Sequence, residues 1–425
     1  MKKICIINTG CGGHSDLFRQ IIKSAEKEYE VALYPDEADY IIHFSCGFTG
    51  KQLNKLPEDV VYYEKLKKEG ATLVFCGCGM SAYKKEIFEE MKVIDHVIVG
   101  MDILPKICEI LGVTPTYAQH MDDNEGTLRI MITEGCYKPG GPCNFCKQNY
   151  LKIPMKSRYS IEQICEMVEH HGKPIVILGG MNTTNYGLDF GNHKPKLHDL
   201  IREVSKLPTV KWIQIEGVAS SCIYEELIEE IEHNDKVVYI QFFLQSGSDR
   251  MLEKMNVGSK IADNKKVLER LKGKIIDGGV IIGHPGETIQ DVLDTIQLIK
   301  DYDLWYTVVM SYKDTFMTPS GKMDKLSAKE YDEHYNLAIK ALDEFAYRKM
   351  RELAKRGIIG YVSQIYPYKN SFDALVKPLQ FEGFCYVQVD NASVKLGDKV
   401  IVRNSRILDL DHRSFEGGLM EVYND

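Results

Sequence analysis

Glu134-Gly135-Cys136-Tyr137-Lys138-Pro139-Gly140-Gly141-Pro142-Cys143-Asn144-Phe145-Cys146 sets three cysteines in one Gly- and Pro-rich stretch. It follows directly on residues 129–133, a short apolar run that reads as a β-strand. Soft thiolates grouped in this way select iron–sulfur clusters or zinc. Three ligands on a four-iron cluster leave one iron open to a chelating molecule. Zinc is the alternative and would want a fourth ligand nearby. His170 and His171 lie too far along the chain to be natural partners.

Outward from that loop, strands and helices alternate. Apolar runs at 129–133, 174–178, 211–216, 237–244, 275–282 and 305–311 alternate with helical periodicity at 161–170, 197–206, 224–232, 262–271 and 289–300. Such a series predicts a partial parallel (β/α)6 barrel, with active residues at the C-terminal ends of its strands. Glycine-rich turns fall at those ends: Gly179-Gly180-Met181 after 174–178, Gln245-Ser246-Gly247 after 237–244, and Ile282-Gly283 closing 275–282. Glycine lets a backbone approach a ligand closely.

Upstream, runs at 3–8, 40–45, 72–76 and 96–99 alternate with helical stretches at 16–29, 58–69 and 83–91. These predict a βα sandwich on a parallel sheet. Cys11, Cys46 and Cys78 each close a predicted strand. Strand ends of a parallel sheet share one edge, so three distant cysteines converge into a second three-thiolate set. Cys76 precedes Cys78 by two residues, so alternation cannot separate their faces, and Cys78 is preferred because it lies at the turn. Cys5, Cys108, Cys165, Cys222 and Cys385 sit in apolar helix or strand patterns and read as small core hydrophobes.

Residues 114–125 read as a linker, 327–356 as one long helix, and 357–425 as a small all-β barrel. The expected domains are therefore 1–113, 126–356 and 357–425. The chain has 425 residues, 44% hydrophobic and 27% charged, as in ordinary soluble globular proteins. No apolar run approaches the length that crosses a bilayer, and the start lacks the apolar core of a secretion signal. A cytoplasmic location is expected, where 12 cysteines point to metal or redox chemistry rather than disulfides. The net charge of −8 removes the simplest argument for a nucleic-acid partner.

Cys143-Asn144-Phe145-Cys146 resembles the last half of the ligand loop of the radical S-adenosylmethionine superfamily, whose usual spacing is C-x3-C-x2-C; here it is C-x6-C-x2-C. The resemblance implies a [4Fe–4S] cluster on Cys136, Cys143 and Cys146, whose open iron takes S-adenosylmethionine. It also implies cofactor contacts at Gly179, Gly180, Met181, Gln245, Ser246, Ile282 and Gly283. The three N-terminal cysteines, the barrel and the β-rich end together look like the methylthiotransferase family, whose small C-terminal domain is called TRAM. Further echoes are Val93–Gly100, Thr183–Asp189, Gln245–Arg250 and Gly283–Thr288. Membership implies a second [4Fe–4S] cluster on Cys11, Cys46 and Cys78, one S-adenosylmethionine as radical source and another as methyl donor. It also implies that the N-terminal domain covers the barrel mouth. Asp189, Arg250 and Lys313 are polar residues near strand ends that could contact cofactor or substrate, or be solvated surface charge.

The family methylthiolates tRNA bases or a protein side chain. Residues 357–425 hold more Asp and Glu than Lys and Arg, and Met255-Asn256-Val257-Gly258-Ser259 lacks the paired arginines usual there. These features favour a peptide or protein substrate over tRNA. The expected partners are that substrate and a reducing donor such as flavodoxin or ferredoxin, with no membrane. Two other readings are a cobalamin-dependent radical methylase, whose D-x-H-x-x-G motif is absent, and a two-cluster electron-transfer protein.

Overall fold

The computed structural model describes residues 1–8, 15–45, 50–77, 80, 92–98, 103–116, 126–146, 153–313, 318–368, 371–381, 383–389, 394–409, 413–417 and 419–422. The chain divides into two compact units. One is Met1–His120 with Phe145–Ile153 and Lys313–Lys322; the other is Met121–Asn144, Pro154–Tyr312 and Met323–Asp425.

The first unit is built on strands β1 (Lys2–Asn8), β2 (Tyr29–Val31), β3 (Tyr40–Phe44), β4 (Thr72–Cys76) and β5 (His96–Val97). Its sheet has the order β2-β1-β3-β4-β5, and every pairing is parallel. Helices α1 (Ser15–Ala25), α2 (Gly50–Leu66) and α3 (Ile103–Leu111) accompany it. Successive residues of a strand point to opposite faces. Ile4, Ile42, Val74 and Cys76 accordingly pack with Ile21, Ile103 and Ile107, while Cys5, Ile41, Leu73 and Phe75 pack with Val60 and Tyr63. Each fully buried aliphatic or aromatic side chain stabilises such layers by roughly 1.5–3 kcal/mol. The sandwich expectation is met, with an added short strand, β2, where helical periodicity extended to residue 29. The expected helix at 83–91 and most of the expected linker lie outside the described residues.

The second unit begins with β6 (Thr127–Glu134), β7 (Lys156–Ser157), β8 (Ile175–Gly180), β9 (Trp212–Ala219), β10 (Val237–Phe243) and β11 (Ile275–Asp277). They form one sheet, parallel except for the edge strand β7. A pair of parallel strands, β12 (Val280–Ile282) and β13 (Val309–Ser311), continues the wall through a bridge from Gln245 to Val280. Interleaved are α4 (Ile161–His171), α5 (Leu197–Lys206), α6 (Glu225–His233), α7 (Asp249–Lys254), α8 (Ile261–Arg270) and α9 (Ile289–Asp301). The partial parallel barrel is as expected. One predicted strand is broken in two at Gly278-Gly279. A side chain at Gly279 would come within 2.7 Å of the Phe243 ring, and the carboxylate of buried Asp277 accepts from Gly279 N at 3.1 Å and Val308 N at 3.2 Å. Burial pushes that carboxyl up from its ordinary range.

Helix α10 (Ala328–Arg356) starts in a capping box of Ser327 and Glu330 and ends at Gly357, whose φ is +97°. Strands β14 (Ile358–Tyr368), β15 (Ser371–Pro378), β16 (Phe384–Val389), β17 (Lys399–Arg403), β18 (Arg406–Asp409), β19 (Ser414–Gly417) and β20 (Leu419–Val422) follow. They form a seven-stranded sheet that is antiparallel except at β16–β19. The all-β expectation for this region is met. One continuous core runs from Leu128 through Leu342 to Phe415.

This sheet meets the barrel at the strand starts. Gly126 N donates to Ser363 O at 2.8 Å, and Trp212 Nε1 donates to Gly397 O at 3.1 Å. The Trp212 and Tyr361 rings stack at 5.7 Å, and Tyr361 is buried with Ile175, Tyr239 and Ile275. Gly397 has φ +78° and lies so close that a Cβ would fall 2.6 Å from Pro174.

Candidate active site

Gly135, at φ +64°, turns the chain out of β6 and delivers Cys136. Cys136 and Cys143 are half-buried. Cys146, in the first unit, is half-buried too. The lengthened gap between the first two cysteines is a turn: Gly140 and Gly141 have φ near +80°, and Gly141 N donates to Lys138 O at 3.2 Å. The turn sends Lys138 inward. The residue is 9% exposed, and its ammonium has no hydrogen-bond partner among the described residues. A buried unpaired cation is costly, so this position favours an anion.

The segment after α7 braces the loop. Asn144 N donates to Met255 O at 2.8 Å, Asn144 Nδ2 to Lys254 O at 2.9 Å, and Asn256 Nδ2 to Pro142 O at 2.6 Å. Asn256 sits at φ +52°, a conformation that asparagine tolerates. The stretch that lacks paired arginines thus serves as a buttress.

The turn after β8 grips the loop from the other side. Asn185 Oδ1 accepts from Tyr137 N at 2.9 Å. Asn182 is fully buried, and its Nδ2 donates to Cys136 Sγ at 3.3 Å and to Cys222 Sγ at 3.5 Å. The Thr184 hydroxyl donates to Asn182 Oδ1, fixing which end of the amide faces the sulfurs. Cys222 Sγ donates to Tyr137 O at 3.6 Å. The expectation that Cys222 is a core hydrophobe is therefore corrected. It is half-buried in a 3-10 turn, Ser220–Cys222, just beyond β9.

Gly179 and Gly180 end β8, where strands crowd. A Cβ on Gly180 would lie 2.0 Å from Thr133 Oγ1, and one on Gly217 2.3 Å from Gly180 O. Arg129 and Glu216 pair beside Gly179. Met181 follows, half-buried. Gln245 takes a strained φ of +67°, and its buried Oε1 has no hydrogen-bond partner among the described residues. Ser246 turns away toward α9, with its hydroxyl 3.3 Å from Thr295 Oγ1. Ile282 is buried and its carbonyl accepts from Tyr312 N at 2.8 Å. Gly283, at φ +86°, donates its N–H to Glu287 at 2.8 Å and lies flat against the Tyr331 ring.

Asp189 and Arg250 are exposed, yet neighbours within the fold engage both. Asp189 accepts from Ser157 N at 2.9 Å and Ser157 Oγ at 2.6 Å. Arg250 pairs with buried Asp291 and donates to Gly286 O at 3.0 Å. Burial alone would raise the Asp291 carboxyl, but bonds from Arg250, Ser248 and Thr288 hold it down to about 2. Lys313 is exposed, in the first unit.

In that unit, β1, β3 and β4 are neighbours and finish in register: Asn8 lies opposite Phe44, and Phe44 opposite Cys76. Ser45 N donates to Cys76 O at 2.9 Å, and a Cβ on Gly77 (φ +95°) would lie 2.7 Å from Ser45 O. Cys11, Cys46 and Cys78 themselves lie outside the described residues. Cys76 is fully buried; burial pushes its thiol well up, and its Sγ donates to His43 O at 3.5 Å. It is a core residue.

Among the described residues, no group of three or more His, Cys, Asp or Glu could hold a single metal ion. A cubane makes a different demand, since each thiolate takes its own iron. The loop offers the donor chemistry for that, with soft sulfur ligands and an amide N–H aimed at one of them. Three buried polar atoms at this end of the barrel, Thr133 Oγ1, Lys138 Nζ and Gln245 Oε1, have no hydrogen-bond partner among the described residues. They suit a polar small molecule beside the loop.

A parallel barrel carrying a cysteine loop off its first strand defines a radical S-adenosylmethionine enzyme, and the family model described as "Radical SAM superfamily" matches residues 130–299. A second, "Uncharacterized protein family UPF0004", matches residues 3–99. The ribosomal protein uS12 methylthiotransferase RimO of Thermoanaerobacter sp. (strain X514) is 29% identical, over 94% of this chain and 97% of the relative. The enzyme of the same name from Acetivibrio thermocellus is 26% identical, over 92% and 96%. The chain is a member of the radical S-adenosylmethionine methylthiotransferase family, and an enzyme. Among solved structures, the radical S-adenosylmethionine methyltransferase TsrM from Kitasatospora setae matches with a TM-score of 0.55 and 12% identity, over 76% of this chain and 75% of that one. That likeness concerns the fold alone. No described helix is long and apolar enough to cross a membrane.

Proposed function

We propose that this enzyme inserts a methylthio group at an unactivated C–H carbon of a protein side chain. In this reading Cys136, Cys143 and Cys146 hold one [4Fe–4S] cluster, and Cys11, Cys46 and Cys78 hold a second. The observation that carries it is the side-by-side finish of β1, β3 and β4 at Asn8, Phe44 and Cys76. The three N-terminal cysteines follow those residues by two or three positions. Chains leaving adjacent strand ends can meet over one sheet edge, which an isolated cysteine in a core does not need.

When bound, the clusters supply an electron to S-adenosylmethionine and sulfur to the substrate. The residues of the chain bind and orient. The Lys138 ammonium meets the methionyl carboxylate, and Gln245 Oε1 accepts a hydrogen bond from the cofactor. Gly179, Gly180, Met181, Ile282 and Gly283 form the edge along which it lies. Ser246, Asp189 and Arg250 shape the mouth from behind. Lys313 is left as a surface candidate for substrate contact.

A protein substrate is favoured because the relatives named above act on ribosomal protein uS12. The acidic excess of the C-terminal sheet agrees with that choice. It weighs little, because the sheet's described contacts are with the strand starts. A flavodoxin or ferredoxin in the cytoplasm would reduce the clusters.

The test is mass spectrometry of uS12 and of a tRNA pool, each incubated with the reconstituted enzyme, a reductant and S-adenosylmethionine. The expected result is a methylthio gain on the protein alone. Gain on tRNA would transfer the reading to RNA. Cys136→Ala should abolish 5′-deoxyadenosine formation. Joint replacement of Cys11, Cys46 and Cys78 by Ala should spare it and stop the methylthio gain.

A further inference from the structure

We propose that Asn182 is a positioning residue that sets the redox poise of the cluster on the Cys136 loop. The assignment rests on the reading that Cys136, Cys143 and Cys146 hold that cluster. One buried amide nitrogen lies 3.3 Å from Cys136 Sγ and 3.5 Å from Cys222 Sγ. An NH2 group has two hydrogens, so both sulfurs can accept from it at once. The Thr184 hydroxyl donates to the amide oxygen, so the nitrogen end cannot flip away from the sulfurs without losing that bond. Cys222 completes the mount by donating to the carbonyl of Tyr137, the residue next to Cys136. Tyr137 N is tied in turn to Asn185. Side chains from one four-residue turn and one neighbouring cysteine thus fix both the place of Cys136 and the hydrogen bond that its sulfur receives.

An N–H donated to a cluster thiolate stabilises the more negative, reduced state, so it raises the reduction potential. Asn182→Asp tests this effect, and both of its changes push the potential the same way. The carboxylate keeps an oxygen for Thr184 but has no N–H to give, and it adds negative charge beside the sulfur.

The experiment uses the full chain with Cys11, Cys46 and Cys78 all replaced by Ala, so that only the Cys136 loop binds a cluster. The protein is reconstituted with iron and sulfide and titrated against a reductant, with the reduced cluster read by electron paramagnetic resonance. Relative to this parent, Asn182→Asp should keep its iron content and cut the reduced-to-oxidised ratio at a fixed potential about tenfold, a shift of about 59 mV for a one-electron couple. Thr184→Val, which leaves the amide in place but loosens it, should move the potential the same way by less. If Asn182→Asp fails to take up iron, Thr184→Val decides by itself. A parent that binds no cluster overturns the loop assignment and this proposal together. A parent with its cluster and variants whose potential is unchanged overturn the role of Asn182 alone.

Discussion

His43 and His284 are imidazoles without solvent contact, one in each unit, and burial holds each down to about 4. An unfolded histidine titrates near 6.5. As pH falls below about 6.5 the unfolded chain takes up the proton first, so the folded state loses ground until pH reaches about 4. Each group accounts for at most about 3 kcal/mol over that window. Melting curves from about pH 7 down to about pH 4.5 should show a falling midpoint with proton uptake on unfolding; a level midpoint would contradict the assignment. At this scale the sequence displayed its cysteines but hid their neighbours. Asn182, Lys138 and Cys222 belong to ordinary residue types in ordinary places. Their importance comes from contacts across 40 or more positions, as from Asn182 to Cys136. The run Ala219-Ser220-Ser221-Cys222 did offer one clue, since two serines before a cysteine fit a turn better than a core strand.

Among elements, the parallel strands were the most legible, because buried apolar runs between glycines repeat at βα spacing. Less legible was the break at Gly278-Gly279, which depends on the Phe243 ring passing overhead. The short strand β2 was hidden by the helical pattern before it. At the edge of the first unit's sheet, β3 and β4 leave side by side only because Gly77 has no side chain. Gly77→Ala would press a methyl within 2.7 Å of Ser45 O at a positive φ. It should destabilise the first unit by about 1–3 kcal/mol. It should also lower the iron bound by Cys11, Cys46 and Cys78, while iron on the Cys136 loop stays constant. Urea melts check the first effect; iron counts in a Cys136→Ala background, and in one with Cys11, Cys46 and Cys78 replaced by Ala, check the second.

For the whole molecule, composition and spacing pointed to three domains, whereas the barrel and the C-terminal sheet share one core. Sequence pattern marks where periodicity changes, and it is blind to which surfaces then fuse. A chain cut after Arg356 would bare Trp212, Ile175, Tyr239 and Ile275 at the strand starts. It should aggregate or melt well below the full chain in calorimetry, and an unchanged barrel transition would show the two parts to be separable. The fit at Gly397 has a further meaning. A bare α-carbon resting on Pro174 works like a ground joint, with no slack for a replacement of slightly different profile. A C-terminal sheet borrowed from another protein would rock on that footing, so chimaeras of this enzyme need their seams placed elsewhere.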